Sequence, residues 1–168
     1  MKVFEAPNEV ILEDNDITCF LAGGISNCEN WQMQVIKELS KYNLPNLVLI
    51  NPRRGYFDVN NFDNEEQIKW EFNQLEKADI FSMYFCNSVS VQPICMYELG
   101  RNLLLMQHKF KNWKDRIIIT IEDGYSRKSD IEIQSTLALG YYPISLAKNP
   151  KEHALIIKEK YEGIKHGN

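Results

Sequence analysis

The stretch "ITCFLAGGISNCENWQMQVIKELSKYNLPNLVLINP" (residues 17–52) decides the fold. Its two apolar runs, at 17–23 and 46–52, have the length and composition of buried strands. The segment between them, at 30–42, repeats its apolar residues at helical spacing. A strand, a helix and a second apolar strand in succession are typical of a parallel sheet, so we expect a βαβ unit here.

The same alternation continues to the end of the chain. We expect one α/β domain over residues 1–168, with an edge hairpin within residues 1–16. Ile68, Phe72 and Leu75 should share one face of the helix at 64–78, and the helix at 93–107, which is apolar on nearly all sides, should be buried. The further strands are expected at 79–86, 116–123 and 142–145, and the further helices at 64–78, 93–107, 130–140 and 150–164.

Composition excludes several classes of partner. The 168 residues carry 19 Lys and Arg against 23 Asp and Glu, a net charge of −4, and the basic residues are scattered, which disfavours a nucleic-acid polymer. No apolar run approaches the length of a membrane span, and the N-terminus lacks the apolar region of a signal peptide. We therefore expect a cytoplasmic protein whose chain begins where it is written, without a membrane partner.

The four cysteines, Cys19, Cys28, Cys86 and Cys95, show no CxxC spacing, and the histidines lie far from them in sequence. This pattern predicts no metal site. Cys19 and Cys86 fall within apolar runs, where a free cysteine behaves as a small hydrophobe. Nothing in the pattern marks any of the four thiols as reactive.

Glu98 is the most conspicuous residue near the expected ligand edge of the sheet. In an open parallel sheet ligands bind beyond the carboxyl ends of the strands, and Glu98 lies early in the helix at 93–107 among apolar neighbours. A buried carboxylate is costly without a partner or a role. Two interpretations follow: a structural ion pair with Arg101 or Lys69, or a nucleophile that the helix dipole keeps ionised.

A second acid, Glu71, lies midway along the preceding expected helix, beside Trp70. It is either an ordinary exposed glutamate near Lys69 or the partner of Glu98. Two carboxylates that converge on one sugar divide the roles of nucleophile and acid in retaining glycoside hydrolysis.

The stretch "NPRRGYFD" (51–58) follows the second long strand. Arg53 and Arg54 are suited to clamp a phosphate or a carboxylate, Tyr56 is suited to stack on a base, and Asp58 follows them. The alternative is a solvated loop in which one arginine pairs with a nearby acid.

Four motifs, "GGISNCENWQ", "INPRRGYFD", "QIKWEFNQLEKAD" and "PICMYELG", occur in this order between residues 17 and 125. Together they resemble the nucleoside 2-deoxyribosyltransferase family, in particular its divergent nucleoside 2-deoxyribosyltransferase-like branch. The resemblance implies a flavodoxin-like, Rossmann-like doubly wound sheet of about five mainly parallel strands, with helices on both faces.

The resemblance also implies roles for individual residues. Glu98 matches the nucleophile of the "ELG" helix, and Glu71, seven residues before Ala78, matches the acid that handles the base. Gln92 stands where the better-characterised branch has an Asp that binds the sugar. The turn after the first long strand would let backbone N–H groups approach the nucleoside, through Gly23, Gly24, Ile25 and Ser26.

The activity implied is cleavage of the N-glycosidic bond of 2′-deoxynucleosides through a glutamyl glycosyl-enzyme, with transfer of deoxyribose to another base or to water and without a cofactor. One alternative is a nucleoside 5′-monophosphate N-glycosidase in which Arg53 or Arg54 and Ser26 cradle the phosphate. The other is a nucleotide-sequestering protein without catalysis, suggested by Gln92.

A homo-oligomer is also expected, because the family commonly completes its site with residues of a neighbouring subunit. Aromatic residues in or beside loops favour an interface as well, although they are equally suited to close the core of the monomer. These residues are Trp113, Tyr125, Tyr141 and Tyr142.

Overall fold

The computed structural model describes residues 1–55 and 64–167. Strands and helices alternate along these residues as the sequence predicts. In chain order the elements are β1 (Lys2–Glu5), β2 (Ile17–Gly23), α1 (Trp31–Leu39), β3 (Leu47–Asn51), α2 (Asn64–Lys77), β4 (Ile80–Phe85), α3 (Pro93–Lys109), a 3-10 helix (Trp113–Arg116), β5 (Ile117–Ile121), α4 (Lys128–Leu139) and α5 (Pro150–Lys165).

The five strands form one parallel sheet in the order β1-β3-β2-β4-β5. The chain therefore winds outward in both directions from β2, which confirms the doubly wound α/β fold. The loops that follow β3 and β4 diverge on either side of β2, and such a switch point is where sheets of this kind bind ligands.

Helices cover both faces of the sheet. Phe20 and Ala22 of β2 face a core formed with α2, α3 and α4, whereas Cys19 and Leu21 face a second core formed with α1 and α5. This alternation follows from the period of two residues along a strand. None of the helices in the described ranges is long and apolar enough to cross a membrane.

Two expectations at the sheet edges are wrong. The N-terminus forms no hairpin: β1 pairs in parallel with β3, and the chain turns at Glu5, whose carbonyl accepts a hydrogen bond from the Asn8 N–H. The strand expected at 142–145 is reduced to a single parallel bridge between Ile119 and Ile144. The preceding residue, Pro143, has no N–H with which to extend the pairing.

Only one of the three apolar residues on the shared face of α2 lies in the core: Leu75 is buried, whereas Ile68 and Phe72 are 58% and 51% exposed. The expectation that α3 is a buried helix is wrong. The apolar helix α3 buries only one stripe against the sheet, so that Ile94 and Tyr97 remain exposed. One buried face is sufficient to hold a surface helix.

His153 of α5 is fully buried between the sheet and α1. Its Nε2 lies 2.6 Å from Ser82 Oγ and its Nδ1 lies 2.7 Å from Thr120 Oγ1, so both ring nitrogens are hydrogen-bonded. Burial lowers the pKa of His153 to about 3. The imidazole is therefore a neutral structural group of the core.

This burial predicts a loss of stability in mild acid. Below about pH 6.5 the unfolded chain protonates this histidine while the folded chain does not, so stability should fall as the pH drops toward 3, by roughly 1.4 kcal/mol per pH unit. Urea denaturation of wild type and His153→Gln at pH 7.5 and pH 5 measures the effect. The variant should show the smaller pH dependence, with His108→Gln, at an exposed position, as the control. Equal slopes in wild type and His153→Gln would contradict the assignment.

Candidate active site

A cavity of about 190 Å³ opens at the carboxyl ends of β2, β3 and β4. We call it the inner cavity. Small and apolar residues form most of its wall, and two carboxylates, Glu71 and Glu98, face into it. Its lining comprises Phe20, Ala22, Gly23, Gly24, Ile25, Ser26, Pro52, Glu71, Ser90, Gln92, Pro93, Ile94, Cys95 and Glu98.

Glu98 reaches the inner cavity from the first half of α3. Within the described residues its carboxylate has neither a hydrogen-bond donor nor an ion-pair partner. Arg101 instead pairs with Glu76, and Lys69 pairs with Glu65 at 2.5 Å. The structure thus does not contain the ion pairs that were the alternative interpretation of Glu98.

The surroundings of Glu98 favour its protonated form. Burial and the nearby charge of Glu71 raise the pKa of Glu98 to about 7, against the opposing charge of Arg101. Desolvation thus opposes the helix dipole, which was expected to help keep this group ionised. At neutral pH the carboxyl is poised between its two protonation states.

Glu71 is half-buried and is held by Gln67, one turn earlier on α2. Gln67 Nε2 donates to Glu71 Oε1 at 2.5 Å and to the carbonyl of Pro52 at 3.0 Å. Burial raises the pKa of Glu71, although the hydrogen bond from Gln67 opposes this shift. Glu71 is thus a fixed, desolvated acid rather than an exposed surface glutamate.

A larger groove of about 720 Å³, the outer groove, continues from the inner cavity between α2 and α3. It shares Glu71 and Glu98 with the inner cavity, and its walls are mainly apolar. Its lining comprises Ile25, Ser26, Pro52, Arg53, Arg54, Gln67, Ile68, Glu71, Phe72, Leu75, Ile94, Tyr97, Glu98 and Arg101.

The two glycines after β2 have no room for side chains. A Cβ at Gly23 would meet the carbonyl oxygen of Tyr84, and a Cβ at Gly24 would meet the amide of Gln92. Trp31 Nε1 donates to the Gly24 carbonyl at 2.9 Å and holds the turn from below. Glycine is required here because neighbouring strands and loops converge on the turn.

Arg53 and Arg54 are engaged by the protein itself. One nitrogen of Arg53 donates to the carbonyls of Ile25 and Cys28 at 2.6 and 3.0 Å, across the loop after β2. Arg54 Nε donates to Gln67 Oε1 at 2.5 Å. Both arginines line the outer groove, and both support its walls.

Gln92 begins α3 with φ +50°, in the left-handed region that is uncommon for residues other than glycine. Its side chain is buried, and its Nε2 donates to the Cys86 carbonyl at 2.7 Å. The Gln92 amide therefore fastens the start of α3 to the end of β4. A carboxylate at this position would lack the donor that makes this bond.

Cys28 and Cys86 form a disulfide, which sequence analysis missed. Cys28 lies in the loop after β2 and Cys86 directly follows β4. These strands are neighbours in the sheet, so their carboxyl ends bring the two cysteines together. Cys19 and Cys95 are buried and free, and burial raises the pKa of Cys95 to about 12.

The structure brings most of the predicted site residues together. Seven line the inner cavity, and Arg53 and Arg54 line the outer groove beside them. Tyr56 and Asp58 lie outside the described residues. Sequence analysis missed Gln67 and Tyr97, although the spacing of four residues between Gln67 and Glu71 is a signal for the former. Nothing in the described residues gathers three side chains into a metal site.

The aromatic residues that suggested an interface serve mainly the core of this chain. Tyr125 is buried against Phe85, and Trp113 contacts Tyr141 with ring centroids 5.9 Å apart. Only Tyr142 of the four is exposed. These side chains therefore give no support to a homo-oligomer.

Two carboxylates at the switch point of a doubly wound sheet are compatible with chemistry on a glycosidic bond. The model of the nucleoside 2-deoxyribosyltransferase-like family matches residues 16–111, more than half of the chain. The chain belongs to this family, which indicates a glycosyl-transferring enzyme that binds a small nucleoside-like molecule. No curated protein matches the sequence.

The environment of Glu98 predicts that this residue destabilises the protein at high pH. The pKa of Glu98 rises from its ordinary value of 4.5 to about 7, so native stability should fall as the pH rises through this interval. Glu98→Gln should therefore raise the Tm by about 10 °C at pH 8 and change it far less at pH 5. Thermal denaturation at both pH values tests this, with Glu159→Gln, at an exposed position of α5, as the control. An equal effect of Glu98→Gln at both pH values would show that Glu98 is not a buried charge.

Proposed function

We propose that this protein cleaves the N-glycosidic bond of 2′-deoxynucleosides, with Glu98 as the nucleophile. One observation carries the proposal: Glu98 faces a cavity that it shares with Glu71 and has no ion-pair partner among the described residues. An unpaired buried carboxylate is costly, and a catalytic role is a reason to retain it.

The reaction proceeds in two displacements. In the first, an oxygen of ionised Glu98 attacks C1′ of the deoxyribose, the C1′–N bond breaks, and the departing base takes a proton from Glu71. In the second, a nitrogen of another base or a water molecule attacks C1′ and releases Glu98. The incoming group then returns its proton to Glu71.

The raised pKa values of the two acids suit these roles. Glu71 is desolvated, which favours the protonated form that a general acid requires. Glu98 has a pKa of about 7, so a large fraction is ionised at neutral pH, as a nucleophile requires. The sugar would occupy the inner cavity and the base would extend toward the outer groove.

The contacts of the arginines bear on the nucleoside 5′-monophosphate alternative. Arg53 and Arg54 already donate to Ile25, Cys28 and Gln67, so a phosphate would have to compete with these bonds. This favours the nucleoside over its monophosphate as substrate. A sequestering protein without catalysis remains the second alternative, and Gln92 no longer favours it, because the Gln92 side chain has a structural role.

Three further properties belong to the proposal. A homo-oligomer is expected mainly from the family resemblance, since Tyr125 is buried and Trp113 and Tyr141 pack against the core of this chain. A cytoplasmic location and a place in nucleotide salvage are likewise expectations from the sequence.

Replacement of the nucleophile tests the proposed function directly. Wild-type protein is incubated with deoxynucleosides and a second free base, and the products are measured by chromatography. It should release the base or form the exchanged nucleoside. Glu98→Gln should lower this rate by at least about a hundredfold, because the amide supplies no attacking charge. For wild type, kcat/KM should fall as the pH drops below about 7, where Glu98 becomes protonated.

The same assay is run with deoxynucleoside 5′-monophosphates as substrates and with the Glu159→Gln variant as a control. Faster turnover of the monophosphates would move the assignment to the first alternative. Tight binding without release of base would support the second. Full activity in a folded Glu98→Gln variant would exclude Glu98 as the nucleophile.

The role of Glu71 predicts a dependence on the leaving group. Glu71→Gln should slow natural deoxynucleosides by about 10² to 10⁴, because a poor leaving group needs a proton as it departs. A deoxyriboside with an easily expelled aryl group should be slowed far less. The measurement is the ratio of the two rate losses in a variant whose Tm is unchanged, and equal losses would reduce Glu71 to a structural residue.

A further inference from the structure

The Cys28–Cys86 disulfide joins the two loops that border the inner cavity. The β2 loop (residues 24–30) carries Cys28, and the β4 loop (residues 86–92) begins with Cys86 and ends at Gln92. The first of these loops supplies Gly24, Ile25 and Ser26 to the cavity, and the second supplies Ser90 and Gln92. The disulfide is the one covalent tie between them in the described structure.

The sulfur atoms lie directly behind the cavity wall. A Cβ placed on Gly24 would be 2.6 Å from Cys28 Sγ, which shows how closely the sulfur packs against the turn. The other sulfur, Cys86 Sγ, lies 3.7 Å from Gln92 Oε1. Breaking the disulfide therefore alters direct contacts of Gly24 and Gln92, two residues of the cavity lining.

Both loops also contain a residue other than glycine with positive φ, namely Asn27 at +58° and Gln92 at +50°. Such conformations persist where the surroundings hold them. Hydrogen bonds from Arg53 to the Cys28 carbonyl and from Trp31 to the Gly24 carbonyl would still hold the β2 loop after reduction. Loss of the disulfide should thus loosen the loops and leave the fold intact.

The two sulfurs differ in exposure. Cys28 is half-buried in its loop, whereas Cys86 is buried at 4% exposure. A thiolate from solution can therefore reach Cys28 Sγ, and attack there makes Cys86 the leaving thiolate.

We propose that Cys28–Cys86 is a redox-responsive modification site that exchanges with a dithiol and controls the affinity of the inner cavity. A thiolate of the dithiol attacks Cys28 Sγ, the S–S bond breaks, and its electron pair passes to Cys86 Sγ, which takes up a proton. The second thiol of the dithiol then loses its proton and attacks the dithiol's own first sulfur, which is bonded to Cys28 in the mixed disulfide. This step releases Cys28 as a thiolate, which takes up a proton. The dithiol is oxidised to a disulfide and the protein gains two thiols. A disulfide of this kind fits the expected cytoplasmic location, where disulfides are mostly transient or redox-sensing.

The first test counts reactive thiols and measures hydrogen exchange in the two loops. Protein prepared without reductant should show two reactive thiols after denaturation, Cys19 and Cys95, and four after treatment with dithiothreitol. Reduction should lower the Tm by roughly 10 °C, since it opens a covalent loop of 58 residues. Hydrogen exchange should increase at residues 24–30 and 86–92 and remain unchanged in β5.

Matched variants separate the disulfide from other effects of the reductant. Cys28→Ser and Cys86→Ser should each reproduce the Tm and the exchange of the reduced wild type, and neither should respond to dithiothreitol. Cys19→Ala, which alters a free cysteine of the same core that does not line the cavity, should respond as wild type does. Four reactive thiols in the untreated protein, or identical exchange before and after reduction, would overturn the proposal.

The effect on the ligand rests on the proposed function. Calorimetric titration of deoxynucleosides into the Glu98→Gln variant, which prevents turnover, should show at least about a fivefold weaker Kd after reduction. By linkage, saturating deoxynucleoside should disfavour reduction by the same factor. Equal Kd values in the two redox states would overturn the control of affinity. Absence of nucleoside binding in both redox states would overturn the proposed function and with it the control of affinity. In that case the thiol count and hydrogen exchange still decide whether the loops respond to redox state.

Discussion

The position of β2 between β3 and β4 is the constraint on which the site depends. Because the chain winds outward from β2 in both directions, the loops that follow β3 and β4 separate and leave a crevice above the β2 turn. The crevice admits α3 at its N-terminal end, which brings Glu98 over the sheet edge. Every other feature of the site either lines this crevice or holds its walls apart.

The carboxylate of Glu98 illustrates the conflict between stability and function. Desolvation beside a second acid disfavours its charge, and the described residues supply no cation in contact with it. The same absence of a partner leaves its oxygens available to an electrophilic carbon. The surrounding structure compensates: Gln67 fixes Glu71, Gln92 fixes the start of α3, and Arg53 fixes the β2 loop. Natural active sites commonly combine local instability with a rigid supporting framework.

Much of this arrangement could be predicted from the sequence because it follows from periodicity. The apolar runs gave the strands, and Glu98 was conspicuous because a carboxylate in an apolar helix is costly wherever that helix packs. The exposed faces of α2 and α3 could not be predicted in this way. Apolar residues such as Ile68 and Phe72 have the spacing of a core, and only the tertiary arrangement shows that they border the outer groove. The disulfide and the contacts of Arg53 join residues distant in sequence, for which local patterns contain no signal.

The packing around Gly24 has a consequence for the evolution of the family. Residues 24, 28 and 92 occupy one small volume, in which a glycine, a sulfur and a glutamine amide touch. A relative with a side chain at position 24 has to lose atoms at position 28 or 92, and a relative without the two cysteines has space to fill there. Substitutions at these three positions are therefore coupled, because each residue restricts the size of the other two.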